Sequence, residues 1–412
     1  MGITLRLSWR NIWRHPRRTL LTLSAIAFAA AILVFMVTLQ LSSYDTMIDY
    51  TLRVYHGHLQ VQPEGYLDKP QMHNTIPDAR ALGSHIRKLT ELTGAAAVSV
   101  RAVGFALASS KARSYGVQVI GVETENEGKV STIPGLIKNG RFLSSDDAQE
   151  AVIGSVLARN LKLNVGEELI LLGTGKDGSM AATVVPVVGI FESGSADLDR
   201  HMVQLPLVTF QDVFSMGDHG HSIVVAGESL EQLDGLIDTV RAGLPTESPL
   251  VVLNWEALIP GLKQAIQMDW ASGWFLYLSL IIIVTFSILN TFLMSVLERT
   301  REFGIMLALG ARPGRIGGLV MLESIWLTLL GLAVGVAVGT VVVFYFHIHG
   351  FSYPGMEEIA AYYNLPAVIT MTLSPLSLTL GPAVILIVTC AAALYPALRI
   401  RTLKPVDAMR AV

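Results

Sequence analysis

Residues Leu319–Phe346 read LVMLESIWLTLLGLAVGVAVGTVVVFYF, with Glu323, about one turn in, as the only charge. A helix needs about 20 mostly apolar residues to cross a hydrocarbon core. This stretch exceeds that, and it is far too long for a buried strand. Three further runs have the same character: Thr19–Leu41, Trp274–Leu297 and Leu376–Leu398, none with an internal charge. The first follows Arg17 and Arg18 and could be taken for a secretory signal. A signal core is usually about 7–15 residues, so the longer run reads as a retained anchor.

Between the first two runs lies a polar block, Ser42–Gly273, punctuated by Gly and Pro. Alternation predicts strands at His58–Gln62, Tyr115–Gly121, Glu168–Leu172 and Thr183–Ile190. Helical periodicity predicts helices at Asp78–Thr93, Ser155–Leu161 and Ser229–Ala242, the last with Ser229 and Gln232 at capping-box spacing. The fold class expected is therefore a membrane α-helical protein. It has four transmembrane helices and a large extracytoplasmic α+β domain, expected to have two lobes, inserted between the first and second. The segments expected are 1–18 (interfacial helix), 19–41, 42–273, 274–297, 298–318 (cytoplasmic), 319–346, 347–375 (short outer loop), 376–398 and 399–412 (cytoplasmic tail).

Of the 412 residues, 51% are apolar and 15% charged, with one cysteine, Cys390. Soluble domains carry about 25% charged residues. That excludes a disordered chain, a nucleic-acid-binding protein and an ordinary soluble enzyme. No intrachain disulfide can form. The net charge of −3 conceals a separation: Ser42–Gly273 holds 17 basic and 27 acidic residues, and the remainder holds 13 and 6. The 13 fall before the first run (Arg6, Arg10, Arg14, Arg17, Arg18), between the second and third (Arg299, Arg301, Arg312, Arg315) and after the fourth (Arg399, Arg401, Lys404, Arg410). The segment 347–375 has none. Basic residues mark the cytoplasmic side, so both termini and 298–318 are expected there. Leu5, Trp9, Ile12 and Trp13 share one helical face and Arg6, Arg10, Arg14 and Arg17 another, which predicts an interfacial helix over Thr4–Arg18.

Glu298–Leu309 is rich in helix formers, Gly310 offers a C-terminal stop, and Pro313 bars continuation. A short cytoplasmic helix is expected, with Ile305, Met306 and Leu309 as an apolar face and Arg301 and Glu302 as polar contacts. In the third run Gly331, Gly335 and Gly339 form a small-xxx-small face for close helix approach, within one chain or across a dimer. Asn290 could hydrogen-bond between helices, and Glu323 could meet a basic residue at the boundary.

Other chemistry is weakly signalled. GTGKDG at Gly173–Gly178 lacks the earlier Gly and the hydroxyl residue after Lys of a phosphate loop, and reads as a hairpin. His56 with His58, and His219 with His221 and Asp218, lack a complete tetrahedral ligand set, so no metal site is expected. His347 and His349 read as interfacial, and Asp146 and Asp147 as a turn. No catalytic constellation is evident.

Met294–Ile316 (MSVLERTREFGIMLALGARPGRI) and Leu394–Arg410 (LYPALRIRTLKPVDAMR), in the one-plus-three arrangement of spans, resemble the ABC permease family of MacB, FtsX and the lipoprotein-releasing Lol permeases. Leu7–Thr19 and Ala151–Gly166 are similar to that family too, and Met47–Gln60 looks most like the lipoprotein-releasing branch. The resemblance implies a non-catalytic permease subunit in the bacterial inner membrane. It would relay ATP-driven motion to the outer domain for lipoprotein or lipid release. Partners would be a separate ABC ATPase, which binds the ATP and Mg, a second permease chain in a homodimer, and a lipid or lipoprotein substrate or periplasmic protein. No cofactor is expected in this chain. The coupling residues implied are Glu298, Arg301, Glu302, Ile305, Met306, Leu309, Gly310, Ala311 and Arg312. The alternatives are an FtsX-like regulator of a cell-wall hydrolase and a split MacB-like efflux permease. The first is opposed by the size of the outer domain, and the second by the ATPase fused to MacB.

Overall fold

The computed structural model describes residues 2–92, 96–111, 113–227, 230–245, 248–363 and 366–400. Ser229 of the expected capping box and the tail beyond Ile400, with Arg401, Lys404 and Arg410, lie outside them. The chain forms two compact units: Met1–Tyr44 with Ile266–Tyr353 and Val368–Val412, and Asp45–Ala265 with Pro354–Ala367.

The first unit opens with helix α1 (Gly2–Ile12), which stops short of the sequence expectation. The chain turns at 13–15, and Pro16 begins α2 (Pro16–Thr51) at the position where its missing N–H costs nothing. Arg14 and Arg17 thus leave the interfacial helix: one lies in the turn, the other on α2. Four helices are long and apolar enough to cross a membrane: α2 with its extension to His56, and three that follow the sheet domain. Apolar side chains such as Leu21, Phe28, Phe275 and Phe286 lie exposed on them, a surface suited to lipid.

The second unit begins where α2 runs ten residues past Leu41 and widens into a π-turn, Leu52–His56. The elements that follow are β1 (Leu59–Pro63), α3 (Ala79–Leu92), β2 (Ala96–Ser109), β3 (Ser114–Val122), α4 (Thr124–Val130), β4 (Ile137–Gly140), β5 (Ala151–Gly154), α5 (Ser155–Leu161), β6 (Glu168–Thr174), β7 (Met180–Phe191), α6 (Ala196–His201), β8 (Met202–Pro206), α7 (Leu207–Val213), β9 (Ser222–Gly227), α8 (Leu233–Ala242), β10 (Leu250–Asn254) and α9 (Trp255–Leu258).

Among the described residues ten strands form one sheet, β10-β1-β9-β2-β3-β8-β5-β7-β4, with β6 pairing both β2 and β7. That double pairing closes β2-β3-β8-β5-β7-β6 into a six-stranded ring. Alternate residues point inward, among them Ala106, Val117, Ile153, Leu171, Val185 and Val203, all buried in one core. The two expected lobes share a strand: β2 pairs β9 through Ala96–Arg101 and β6 through Ala106–Ser109. Strand β2 thus runs from one to the other without an intervening linker. β1 and β10, the first and last strands, pair antiparallel from Leu59↔Asn254 to Pro63↔Leu250.

The chain then forms α10 (Pro260–Glu298), α11 (Thr300–Ala308), α12 (Pro313–His349), α13 (Met356–Tyr363) and α14 (Pro375–Arg399). The expected loop 347–375 holds α13 and a bridge between Phe351 and Ile369. Ser374 and Ser377 cap α14 reciprocally.

Helix α2 is the centre of the membrane bundle, and Ile26, Ala30, Leu33 and Val37 are buried there with Ile281, Ile288, Phe292, Leu332 and Ile385. The glycine face of α12 meets α2 within the chain. A Cβ on Gly331 would lie 2.7 Å from Ile26 Cβ, on Gly335 2.4 Å from Ala27 O, and on Gly339 3.1 Å from Val34 Cβ.

Candidate functional site

The segment joining α10 to α12 is built by local chain chemistry. Helix α10 continues through Glu298, and Arg299 (φ −99°, ψ 10°) breaks it. Helix α11 therefore begins at Thr300, not at Glu298 as the sequence suggested. Gly310 takes φ +92°, where residues with a Cβ are strained. Ala311 N donates to Met306 O (2.9 Å) and Gly310 N to Leu307 O (3.0 Å), the paired bonds of a Schellman stop. Arg312 is extended, as a residue before Pro must be, and Pro313 opens α12.

This short helix has two faces. Phe303 and Gly304 are buried, with Phe303 against Val296, Ile316, Val320 and Ile400; Met306, Leu307 and Ala311 pack on the same cluster. Arg301, Ile305 and Leu309 form the other face and are exposed, Leu309 by 83%, with Gly310 and Arg312 beside them. Met306 and Ala311 are thus part of the inward packing. The expected apolar face reduces to Ile305 and Leu309.

The acidic residues are engaged within the chain. Glu302 accepts from Arg14 (3.0 Å) and Arg299 (3.4 Å), and Glu298 from Arg18 (2.7 Å). Arg299 Nη1 reaches Glu323 Oε2 at 2.9 Å, and Asn11 Nδ2 donates to Glu323 Oε1 at 2.6 Å. Arg299 also lies over the Phe303 ring, 5.1 Å from its centroid. Trp9 of α1 meets Trp326 of α12 edge-on at 5.5 Å. Ion pairs and rings thus tie α1, the start of α2, α11 and α12 into one assembly. By sequence Arg299 counts only as a basic residue that marks topology; its place after the last apolar turn of α10, 24 residues before Glu323, is the signal for this pair.

Asn290 makes no interhelical hydrogen bond among the described residues. It is exposed in a groove of about 580 Å³ between α2 and α10, with Arg18, Thr22 and Glu298.

A second candidate lies at the other end of the same helix pair. Ile32, Met36, Leu39, Phe275, Leu276 and Leu280 line an apolar cavity of about 880 Å³. At its polar mouth Tyr44 Oη donates to Asp269 Oδ2 (2.6 Å), Gln40 Nε2 donates to the same oxygen (3.2 Å), and Tyr277 Oη donates to Gln40 Oε1. Tyr44, Trp270, Trp274 and Tyr277 follow one another edge-on, the aromatic belt of a membrane–water boundary. Nothing local in the sequence marks this cluster, because Gln40 and Tyr277 lie inside apolar runs and Asp269 is 225 residues from Tyr44.

The histidine and glycine motifs have structural roles. Among the described residues no three His, Cys, Asp or Glu side chains converge to hold a metal. His58 Nε2 meets Asp49 (3.1 Å). His221 stacks on Tyr66 (5.2 Å between ring centres), its Nδ1 accepts from Val103 N (2.9 Å), and burial pushes its pKa down to about 4. His219 Nδ1 meets Thr75 Oγ1 (2.8 Å), and burial followed by nearby Lys176 lowers its pKa. Gly173–Gly178 closes the β6–β7 hairpin, with Gly175 N bonded to Ser179 O at 2.8 Å. Asp146 Oδ1 accepts from Thr124 N (2.7 Å) at the start of α4.

The MacB-like periplasmic core domain family matches residues 19–242, and the FtsX-like permease C-terminal family matches residues 274–405. The macrolide export ATP-binding/permease protein MacB of Neisseria meningitidis (serogroup A) is 24% identical over 353 residues, 82% of this chain and 52% of MacB. The lipoprotein-releasing system transmembrane protein LolC of Xylella fastidiosa is 22% identical over 306 residues, 70% of this chain and 72% of LolC. The crystal structure of the periplasmic region of MacB from Actinobacillus actinomycetemcomitans is similar at TM-score 0.36 and 16% identity, over 52% of this chain and 94% of that one. This chain spans about half the length of the MacB relatives it matches. The two family matches together run from the first membrane helix past the end of the last, and the chain belongs to the MacB/FtsX family of ABC transporter permeases.

Proposed function

We propose that the chain is a non-catalytic subunit that docks an ABC ATPase on α11 and relays the ATPase's closure through the bundle to the sheet domain. The observation that carries this is the two-faced α11. Its inner face is packed and ion-paired to α1 and α12, while Ile305 and Leu309 stand outside that packing, 46% and 83% exposed. A loop that served only as a topology anchor needs neither a Schellman stop nor an exposed apolar pair. The basic residues at 298–318 and at the termini support placing α11 in the cytoplasm and the sheet domain outside. ATP and Mg then belong to the ATPase, and two copies of this chain serve two ATPase subunits in the bacterial inner membrane.

The cavity between α2 and α10 supports a lipidic substrate, an acyl chain of a lipid or lipoprotein. Its walls are apolar, and its mouth carries hydrogen-bonding groups that suit a headgroup. The similarity to LolC agrees with that substrate class, and the longer match to MacB supports efflux of another amphiphile as the second reading.

The test is the double substitution Ile305→Asp with Leu309→Asp. Both side chains are exposed, so the fold should survive. The ATPase should no longer co-purify, and its activity should lose stimulation by the permease. An unchanged complex with normal stimulation would refute docking on α11. Mass spectrometry of lipids and lipoproteins that co-purify with the complex decides between the substrate readings.

A further inference from the structure

The last turn of α2 ends in a π-helix, and four consecutive carbonyls at its end are taken by the sheet domain. A helix end leaves such carbonyls without intrahelical partners, and water usually fills them. Here Thr132 N donates to Arg53 O (2.8 Å) and Ser131 Oγ to Val54 O (2.7 Å). Arg101 Nη1 donates to Tyr55 O, and Gln60 Nε2 to His56 O (2.7 Å).

The charged member of this set is held with care. Arg101, on β2, is 1% exposed and Glu127, on α4, is fully buried. Glu127 Oε1 accepts from Arg101 Nη2 at 2.6 Å, and Oε2 accepts from Arg101 Nε at 3.2 Å and from Ser99 Oγ at 3.1 Å. The guanidinium also lies over the Tyr55 ring, 4.7 Å from its centroid. On the other side of the turn, Arg53 bridges Asp49 (2.8 Å) and Gly227 O (3.1 Å). Gly57 then passes so close to Val224 that a Cβ would lie 2.3 Å from its Cγ1. A buried ion pair adds little stability over an apolar pair of the same volume. Its directed bonds fix geometry instead, and π-turns recur where geometry serves function.

We propose that Arg101 and Glu127 are positioning residues that lock the end of α2 to the sheet domain, so that displacement of this helix reaches the domain without slip. This rests on the relay reading above. Helix α2 would be the drive element, with Arg101 as the pin that engages the carbonyl end and Glu127 as the group that orients the pin.

The test uses the full chain with its ATPase in lipid nanodiscs and a spin label on an exposed domain position, Met180. Distances between the labels of two copies are measured without nucleotide and with ATP and vanadate. The wild type should show a nucleotide-dependent change in distance. Arg101→Met with Glu127→Met removes both charges together; it should keep the melting temperature and basal ATPase activity but lose more than half of that change. A merely structural role would lower the melting temperature and leave the distance change intact. If the double variant does not fold, Ser131→Ala removes one carbonyl donor while the charges stay paired, and should reduce the change in the same direction. A full distance change in the folded double variant, or in Ser131→Ala if the double variant does not fold, overturns the joint and leaves the relay standing. A wild type with no distance change overturns both.

Discussion

Arg299 and Glu323 form a buried ion pair 24 residues apart, 11% and 13% exposed, that joins the break after α10 to α12. Glu302 and Asn11 complete the site from α11 and α1. Removing one partner strands a charge away from water, which costs about 3–5 kcal/mol. Glu323→Gln should therefore lower stability by roughly that amount in detergent unfolding. Arg299→Met with Glu323→Leu should recover most of it. A double variant as unstable as the single one would show that the pair's stabilisation is more than mutual compensation.

The glycines of α12 are not equivalent. Gly335→Ala places a methyl 2.4 Å from Ala27 O and 2.7 Å from Ala30 Cβ. It should destabilise the bundle by about 1–3 kcal/mol through overpacking. Gly318→Ala meets no atom within 4 Å. It should be neutral or gain up to about 1 kcal/mol of helix propensity. Thermal unfolding of the two variants in one detergent compares them.

The sheet domain should weaken in acid through His221. Its folded pKa lies near 4, against 6.5 for the free side chain. Between those values the unfolded chain binds the proton and the folded chain refuses it, so stability rises with pH. The contribution is complete above pH 6.5, falls as pH drops, and is gone near pH 4, an effect of about 3 kcal/mol over the window. Protonation also removes the acceptor for Val103 N. His221→Leu should flatten the pH dependence of domain unfolding across this window, as followed by urea titration. Glu150 acts in the same direction at lower pH. Burial opposes its ionisation, but hydrogen bonds from Arg141 and Ser144 outweigh that and hold its pKa below the usual range.

Gly310→Val should act through backbone alone. A Cβ there would meet no atom beyond its chain neighbours within 4 Å, and φ is +92°. A β-branched residue there should cost about 1–2 kcal/mol, loosen the Schellman stop and reduce ATPase binding while Ile305 and Leu309 themselves stay unchanged. Co-purification yield with the ATPase measures it.

The sequence announced elements whose burial is one-sided. Glu168–Leu172 alternates because one face of β6 is open, and it was found within two residues at its C-terminal end. The spans were visible because lipid tolerates long unbroken apolar runs. Strands β5 and β9 were not visible, because every residue in them is buried and their sequences, AVIG and SIVVAG, do not alternate; β1 is as fully buried but was legible because Leu59 and Val61 alternate with Gln60 and Gln62. Strand β2 was hidden by its small residues, Ala96–Ala–Val–Ser–Val. In the candidate site, the helix, its glycine stop and its proline start were legible from local chemistry. The inward turn of Met306 and the capture of Glu298 and Glu302 by Arg18 and Arg14 were not, since those partners lie 280 and 288 residues away.

The pairing of β1 with β10 bears on how this chain assembles. Closing an unstructured loop becomes costlier with length, by about 0.6 kcal/mol for each doubling. The connection between α2 and α10 runs from residue 52 to residue 259. Once the sheet domain has formed, its two ends emerge from neighbouring strands in register, Leu59 opposite Asn254. For the helices that follow, the insertion then behaves as a short hairpin. A domain attached this way can be enlarged, trimmed or exchanged for another with adjoining ends at little entropic penalty to the bundle, a route by which one membrane scaffold could acquire different outer domains.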